Sequence, residues 1–123
     1  MYYHLTKPDF SLVPEGTIDL NCSGIGLISL KGCPSSVLEL NCSNNQLTSL
    51  KGCPSFVQVL NCYDNQLTSL KGCPSSVQYL YCSDNRLTSL EGCPSSVQKL
   101  VCRGNNLKGE IDTLEKLKEY NLR

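Results

Sequence analysis

Apolar residues recur along this chain in a fixed order every 20 residues. One unit, numbered 1 to 20 from Val37, reads V-L-E-L-N-C-S-N-N-Q-L-T-S-L-K-G-C-P-S-F. Its apolar positions are 1, 4, 6, 11, 14 and 17, occupied by Val37, Leu40, Cys42, Leu47, Leu50 and Cys53. Units begin again at Val57, Val77 and Val97, and Thr17 to Ser36 is a looser copy. A period of this length marks a solenoid, in which each unit forms one rung and buries its apolar side against the next. Positions 4 and 6 alternate with polar neighbours, which predicts a strand with one buried face. Gly52 at position 16 and Pro54 at position 18 break any regular helix on the way back. Twenty residues are also too few for a strand plus a full helix, so an extended or polyproline-like return with tight turns is expected.

The ends continue the pattern in part. Phe10, Val13 and Pro14 fit positions 14, 17 and 18 of a half-unit, and Tyr2, Tyr3 and Leu5 are expected to cover the first rung. Near the other end Leu117, Tyr120 and Leu122 fit positions 1, 4 and 6 of a sixth strand, after a helical turn signalled by Asp112 and Glu115. A capping helix from Thr113 to Tyr120 is the rival there. The expected division is a cap and half-repeat at 1–16, five repeats at 17–116, and a partial repeat or cap at 117–123.

Position 9 holds Asn45, Asn65, Asn85 and Asn105, with Ile25 at that place in the first unit. A buried amide must find partners, and the backbone where the strand turns away offers them. With that column in place, V-x-x-L-x-C-x-x-N-x-L resembles the leucine-rich-repeat pattern L-x-x-L-x-L-x-x-N-x-L. The short period and the L-T-S-L step are similar to the repeats of YopM-like and IpaH-like bacterial effectors. Those effectors carry L-P-x-L-P on the back, where this chain has L-K-G-C-P. The resemblance runs from about Phe10 to Leu122. It implies an α/β horseshoe-class solenoid, with a parallel sheet on a concave face and a mostly irregular convex side. Likeness of fold does not carry a function; the expectation of a non-catalytic module that binds a protein or peptide on the concave strand face rests on the residues that vary along that face.

Composition changes this picture little, except at cysteine. The chain has 123 residues and no net charge, with 11 Lys and Arg against 11 Asp and Glu. A nucleic-acid or anionic-membrane partner usually demands a basic excess, so neither is expected. No apolar run is long enough to span a bilayer and no signal-peptide stretch is visible, so a cytoplasmic protein is expected, in the producing cell or in a host cell. Nine cysteines first suggest a disulfide scaffold. They fall instead in two columns, Cys22, Cys42, Cys62, Cys82 and Cys102 at position 6, and Cys33, Cys53, Cys73 and Cys93 at position 17. Reduced, inert core is the favoured reading. Disulfides between rungs would be strained by parallel Cβ vectors, and the spacing matches no zinc knuckle. No metal or other cofactor is expected.

Columns that repeat serve the fold, so function is expected where the strand face varies. Position 3 runs Asp19, Glu39, Val59, Tyr79, Lys99; position 5 runs Asn21, Asn41, Asn61, Tyr81, Val101; position 7 runs Ser23, Ser43, Tyr63, Ser83, Arg103. Glu39, Asn61, Tyr63, Tyr79, Tyr81, Lys99 and Arg103 are the candidate binding residues, because aromatics beside charges resemble an interaction hot spot. The alternative is that the tyrosines only stabilise strands. Phe56, which breaks a serine column, is a weaker candidate. Lys31, Lys51, Lys71 and Glu91 form a column beside the glycine turn, read as a solvated edge with an anionic partner as the alternative. His4 is the sole histidine, and no nucleophile has a base at a defined place, so no enzyme is expected. Self-association through open solenoid ends is the competing functional reading.

Overall fold

The computed structural model describes residues 1–107. They form a parallel-strand β-solenoid of about five turns. Six three-residue strands lie in sequence order in one sheet: β1 Tyr2–His4, β2 Asp19–Asn21, β3 Glu39–Asn41, β4 Val59–Asn61, β5 Tyr79–Tyr81 and β6 Lys99–Val101. From β2 on, each residue pairs with its counterpart 20 positions later, as in Leu20 with Leu40 and Leu40 with Leu60. Equivalent side chains therefore stack in ladders. The valines or Thr17 at position 1, the leucines at 4, 11 and 14, and the cysteines at 6 make one buried cluster, in which Leu107 is only partly buried. Thr17 is the polar member, and its hydroxyl donates to the Pro14 carbonyl at 2.7 Å.

The return path contains no helix among the described residues, as the 20-residue period requires. The one helical turn is the 3-10 segment Phe10–Leu12, capped by Asp9, whose carboxylate accepts from the Ser11 backbone N–H. Each rung turns through Leu-Lys-Gly-Cys or its Glu91 variant, where the cysteine N–H donates to the leucine carbonyl, as Cys53 does to Leu50 at 3.0 Å. Such a turn needs a positive φ at its third residue, and Gly52 supplies one of 92°. Past the strand, position 8 also has a positive φ, and it holds only Gly24, Asn44, Asp64, Asp84 and Gly104, the residue types that tolerate it.

The glycine turns also stack in contact. A Cβ built on Gly92 would lie 2.7 Å from the backbone carbon of Leu70 and nitrogen of Lys71, whereas one on Gly32 meets only the Phe10 Cβ, at 3.9 Å. Both glycines have φ near +90°. Gly32→Ala is therefore expected to cost about 1–2 kcal/mol for the backbone conformation alone. Gly92→Ala adds an overlap with backbone and is expected to cost about 3–4 kcal/mol. Denaturant titration of the two variants checks this, and equal losses would mean that the turns do not touch.

Three expectations need correction or extension. Tyr2, Tyr3 and Leu5 cover the first rung by becoming part of the sheet: Tyr2 pairs with Asp19 and His4 with Asn21, over a step of 17 residues. Tyr3 packs against the core and Leu5 is buried within it. Cys33, Cys53, Cys73 and Cys93, expected in the core, are half-buried at its margin, because position 17 closes the corner turn before the proline. The sixth strand or capping helix expected around Asp112 to Leu122 lies outside the described residues.

Candidate functional site

The outer face of the sheet carries positions 3 and 5 of every strand, since position 4 points into the core. Structure narrows the set of free side chains on it. Asn21 and Asn41 at position 5 are half-buried, and each carboxamide oxygen accepts from the backbone N–H and the hydroxyl of the serine two residues on. Ser43 is buried and Ser23 half-buried. At β4 the serine is replaced by Tyr63, and Asn61 keeps only a long bond, 3.5 Å, from the Tyr63 N–H. Tyr63 leans back one rung, where its hydroxyl accepts from Asn44 Nδ2 at 3.4 Å.

The candidates at the far end come together. Tyr79 and Tyr81 share the outer face of β5, with Tyr79 37 % exposed and Tyr81 half-buried. Lys99 on β6 places its Nζ 5.8 Å from the centroid of the Tyr81 ring, a cation–π contact. Arg103 is exposed just past β6. Glu39, also exposed, stands on β3, in the same position-3 column as Val59, Tyr79 and Lys99. Tyr79, Tyr81 and Lys99 thus form one patch, while Tyr63 and Asn61 adjoin it on the preceding rung. Pairing of β1 adds Tyr2 and His4 to the same two columns, and Tyr2 Oη accepts from Asn21 Nδ2 at 3.5 Å.

The structural asparagines sit where the core meets the turn. Asn65 donates through Nδ2 to the carbonyls of Cys42, Cys62 and Tyr63, and its oxygen accepts from the Leu47 N–H. Asn85 and Asn105 repeat this set one and two rungs on. Asn45 accepts from both Ile25 and Leu27. Each amide therefore ties its own rung to the one before. Ile25, in the first rung, packs against the core instead.

Other features stand apart from this face. The Lys31, Lys51, Lys71 and Glu91 column is exposed on the glycine turn. Phe56, 64 % exposed, takes the place of serines that donate to the carbonyl of the first residue of their own unit, as Ser76 does to Val57 at 2.6 Å. An open depression of about 710 Å³ lies between the 3-10 turn and the first return path, lined by Phe10, Leu27, Ile28 and Lys31. Sequence reasoning passed over it, although Ile28 stands where Thr48, Thr68 and Thr88 do and is 73 % exposed. Among the described residues no group of three or more His, Cys, Asp and Glu is placed to hold a metal. No helix there is long and apolar enough to cross a membrane.

Comparison with known proteins found no matching family model, no matching curated protein and no matching solved structure.

Proposed function

We propose that this chain is a leucine-rich-repeat-type module, its outer strand face the concave side of a short horseshoe, binding a protein or peptide without catalysis. The observation that carries this reading is the patch of Tyr79, Tyr81 and Lys99, joined by a 5.8 Å cation–π contact. It stands in columns that hold acidic, aliphatic or amide side chains on β2 to β4. An exposed aromatic there is not needed for strand pairing, because the other rungs pair without one. Aromatic rings held by a neighbouring cation present large area at low entropic cost, as interface hot spots do. Capture from lysate of the native host, with wild type against Tyr79→Ala/Tyr81→Ala, tests it. Loss of a partner from the variant at unchanged melting temperature is expected. Equal recovery of every partner by both forms would count against this face.

A second reading is favoured by one observation. β1 begins the strand order, so among the described residues its outer edge has no partner. Unpaired edges template further strands, which makes self-association through this end the alternative function. Solution mass distinguishes the two: a monomer across a wide concentration range removes the second.

A further inference from the structure

We infer that the segment bound on this face is an extended peptide of dipolar charge, lying across the strands, with its basic end over β2–β3 and its acidic end over β6. This rests on the proposed use of the outer face and goes on to specify the partner's chemistry. The position-3 column runs Asp19, Glu39, Val59, Tyr79, Lys99 in consecutive strands. Acidic groups thus occupy one end, an aliphatic and an aromatic side chain the middle, and a cation the other end, where exposed Arg103 reinforces it. Among the described residues no ion pair joins Asp19 or Glu39 to a basic group or Lys99 and Arg103 to an acidic one. Asp64 and Asp84 are exposed too; they lie off the column in the turn beyond the strands, as Arg103 does, and Asp84 adjoins Arg103 through the bond from its N–H to the Arg103 carbonyl.

The geometry sets the length of the ligand. Neighbouring strands are about 4.8 Å apart, so Lys99 lies roughly 14 Å from Glu39 and roughly 19 Å from Asp19 across the sheet. An extended chain advances about 3.3 Å per residue. Opposite charges in the ligand should therefore be separated by about four to six residues, with apolar residues between them to cover Val59, Tyr79 and Tyr81. Opposed potentials at the two ends also select register, since sliding by one strand places a ligand charge over an apolar residue.

Three synthetic heptapeptides test this by fluorescence anisotropy. The first is Lys-Lys-Val-Tyr-Val-Glu-Glu. The second has the same composition permuted to Val-Lys-Glu-Tyr-Lys-Glu-Val. The third is the all-basic Lys-Lys-Val-Tyr-Val-Lys-Lys. The wild-type protein is expected to bind the first roughly five- to tenfold more tightly than either of the others, as a few exposed charge pairs allow, and the gap should shrink with salt. Lys99→Glu/Arg103→Glu leaves both ends of the face acidic and should shift preference to the all-basic peptide. Equal binding of the first two peptides, no binding of any, or no shift in the charge variant would each overturn the dipolar assignment. Failure of the face itself is read separately from Tyr79→Ala/Tyr81→Ala. If that variant loses peptides that wild type binds without regard to charge order, the face stands and only the charge assignment falls. If its binding matches wild type for every peptide, both fall.

Discussion

Raising the pH from 9 toward 11 is expected to unfold this protein cooperatively. Burial lifts the thiols of Cys22, Cys33, Cys53 and Cys73 from an ordinary value near 9 to about 12 and that of Cys93 to about 11. Cys42, Cys62 and Cys82 are pushed further up by the same cause, with neighbouring thiols adding to it. The sign follows from proton counting. Below pH 9 folded and unfolded chains both keep these protons, and the stability they permit is fully present. Above pH 9 the unfolded chain releases them while the folded chain holds them, so stability falls with rising pH until the folded pKa is reached. At pH 10 each deeply buried thiol contributes about 1.4 kcal/mol to unfolding, or roughly 6 kcal/mol for Cys22, Cys42, Cys62 and Cys82, four of the five position-6 residues. The half-buried position-17 column adds a smaller amount, reduced by solvent contact. The sum approaches the whole stability of a typical domain, about 5–15 kcal/mol. Circular dichroism and thiolate absorbance followed together through the titration should change in one step near pH 10. Gradual thiolate formation with the fold intact would show that the cysteines are not core.

Asn45→Ala is the second change expected to have a large effect. The amide oxygen accepts from the N–H groups of Ile25 and Leu27, at 3.1 and 2.9 Å, and its nitrogen donates to the carbonyls of Cys22, Cys42 and Ser43. Alanine orphans the two N–H groups and the Cys22 carbonyl, the Leu27 N–H in the buried interior and the Ile25 N–H at a part-buried site, whereas the Cys42 and Ser43 carbonyls keep Asn65 Nδ2 and the Gly24 N–H as donors. A buried unpaired donor costs about 1–3 kcal/mol, so the two N–H groups, one of them part-buried, imply about 2–5 kcal/mol. Asn45→Asp should not rescue the loss, because its second oxygen would face three carbonyl oxygens. Asn105→Ala removes the same kind of set at a half-buried site and should cost less, since water can replace part of it. Chemical denaturation of the three variants gives the ordering directly. If Asn45→Ala were no worse than Asn105→Ala, the amides would not be what ties rung to rung.

Much of this was legible in the residues. The period places five strands to the residue, because any shift by one would turn Leu40 or Cys42 to the solvent. The asparagine column was equally plain, since an amide recurring among leucines in four successive units, Asn45, Asn65, Asn85 and Asn105, must find backbone partners in a packed rung. β1 was harder to read. Tyr2-Tyr3-His4-Leu5 lacks the valine, cysteine and asparagine that mark a unit, and it reaches β2 in 17 residues rather than 20. The half-burial of the position-17 cysteines was hidden for another reason, as hydrophobic pattern does not say how far a corner turn sits from the centre of a core. On the candidate face, sequence identified Tyr79, Tyr81 and Lys99, which the structure brings together. It did not show that two candidates, Tyr63 and Asn61, are engaged locally, because the bonds from Asn44 Nδ2 to the Tyr63 hydroxyl and from the Tyr63 N–H to Asn61 depend on local geometry.

Columns that build the solenoid stand apart from the few positions on its outer face that depart from them. Side-chain footprinting of the protein alone and with its captured partner tests that division most directly. Protection confined to Tyr79, Tyr81, Lys99 and Arg103, extending toward Glu39, is the expected result. Protection of Tyr2 and His4 at the β1 edge or of Lys51 and Lys71 on the turns, with Tyr79 as reactive as before, would contradict it.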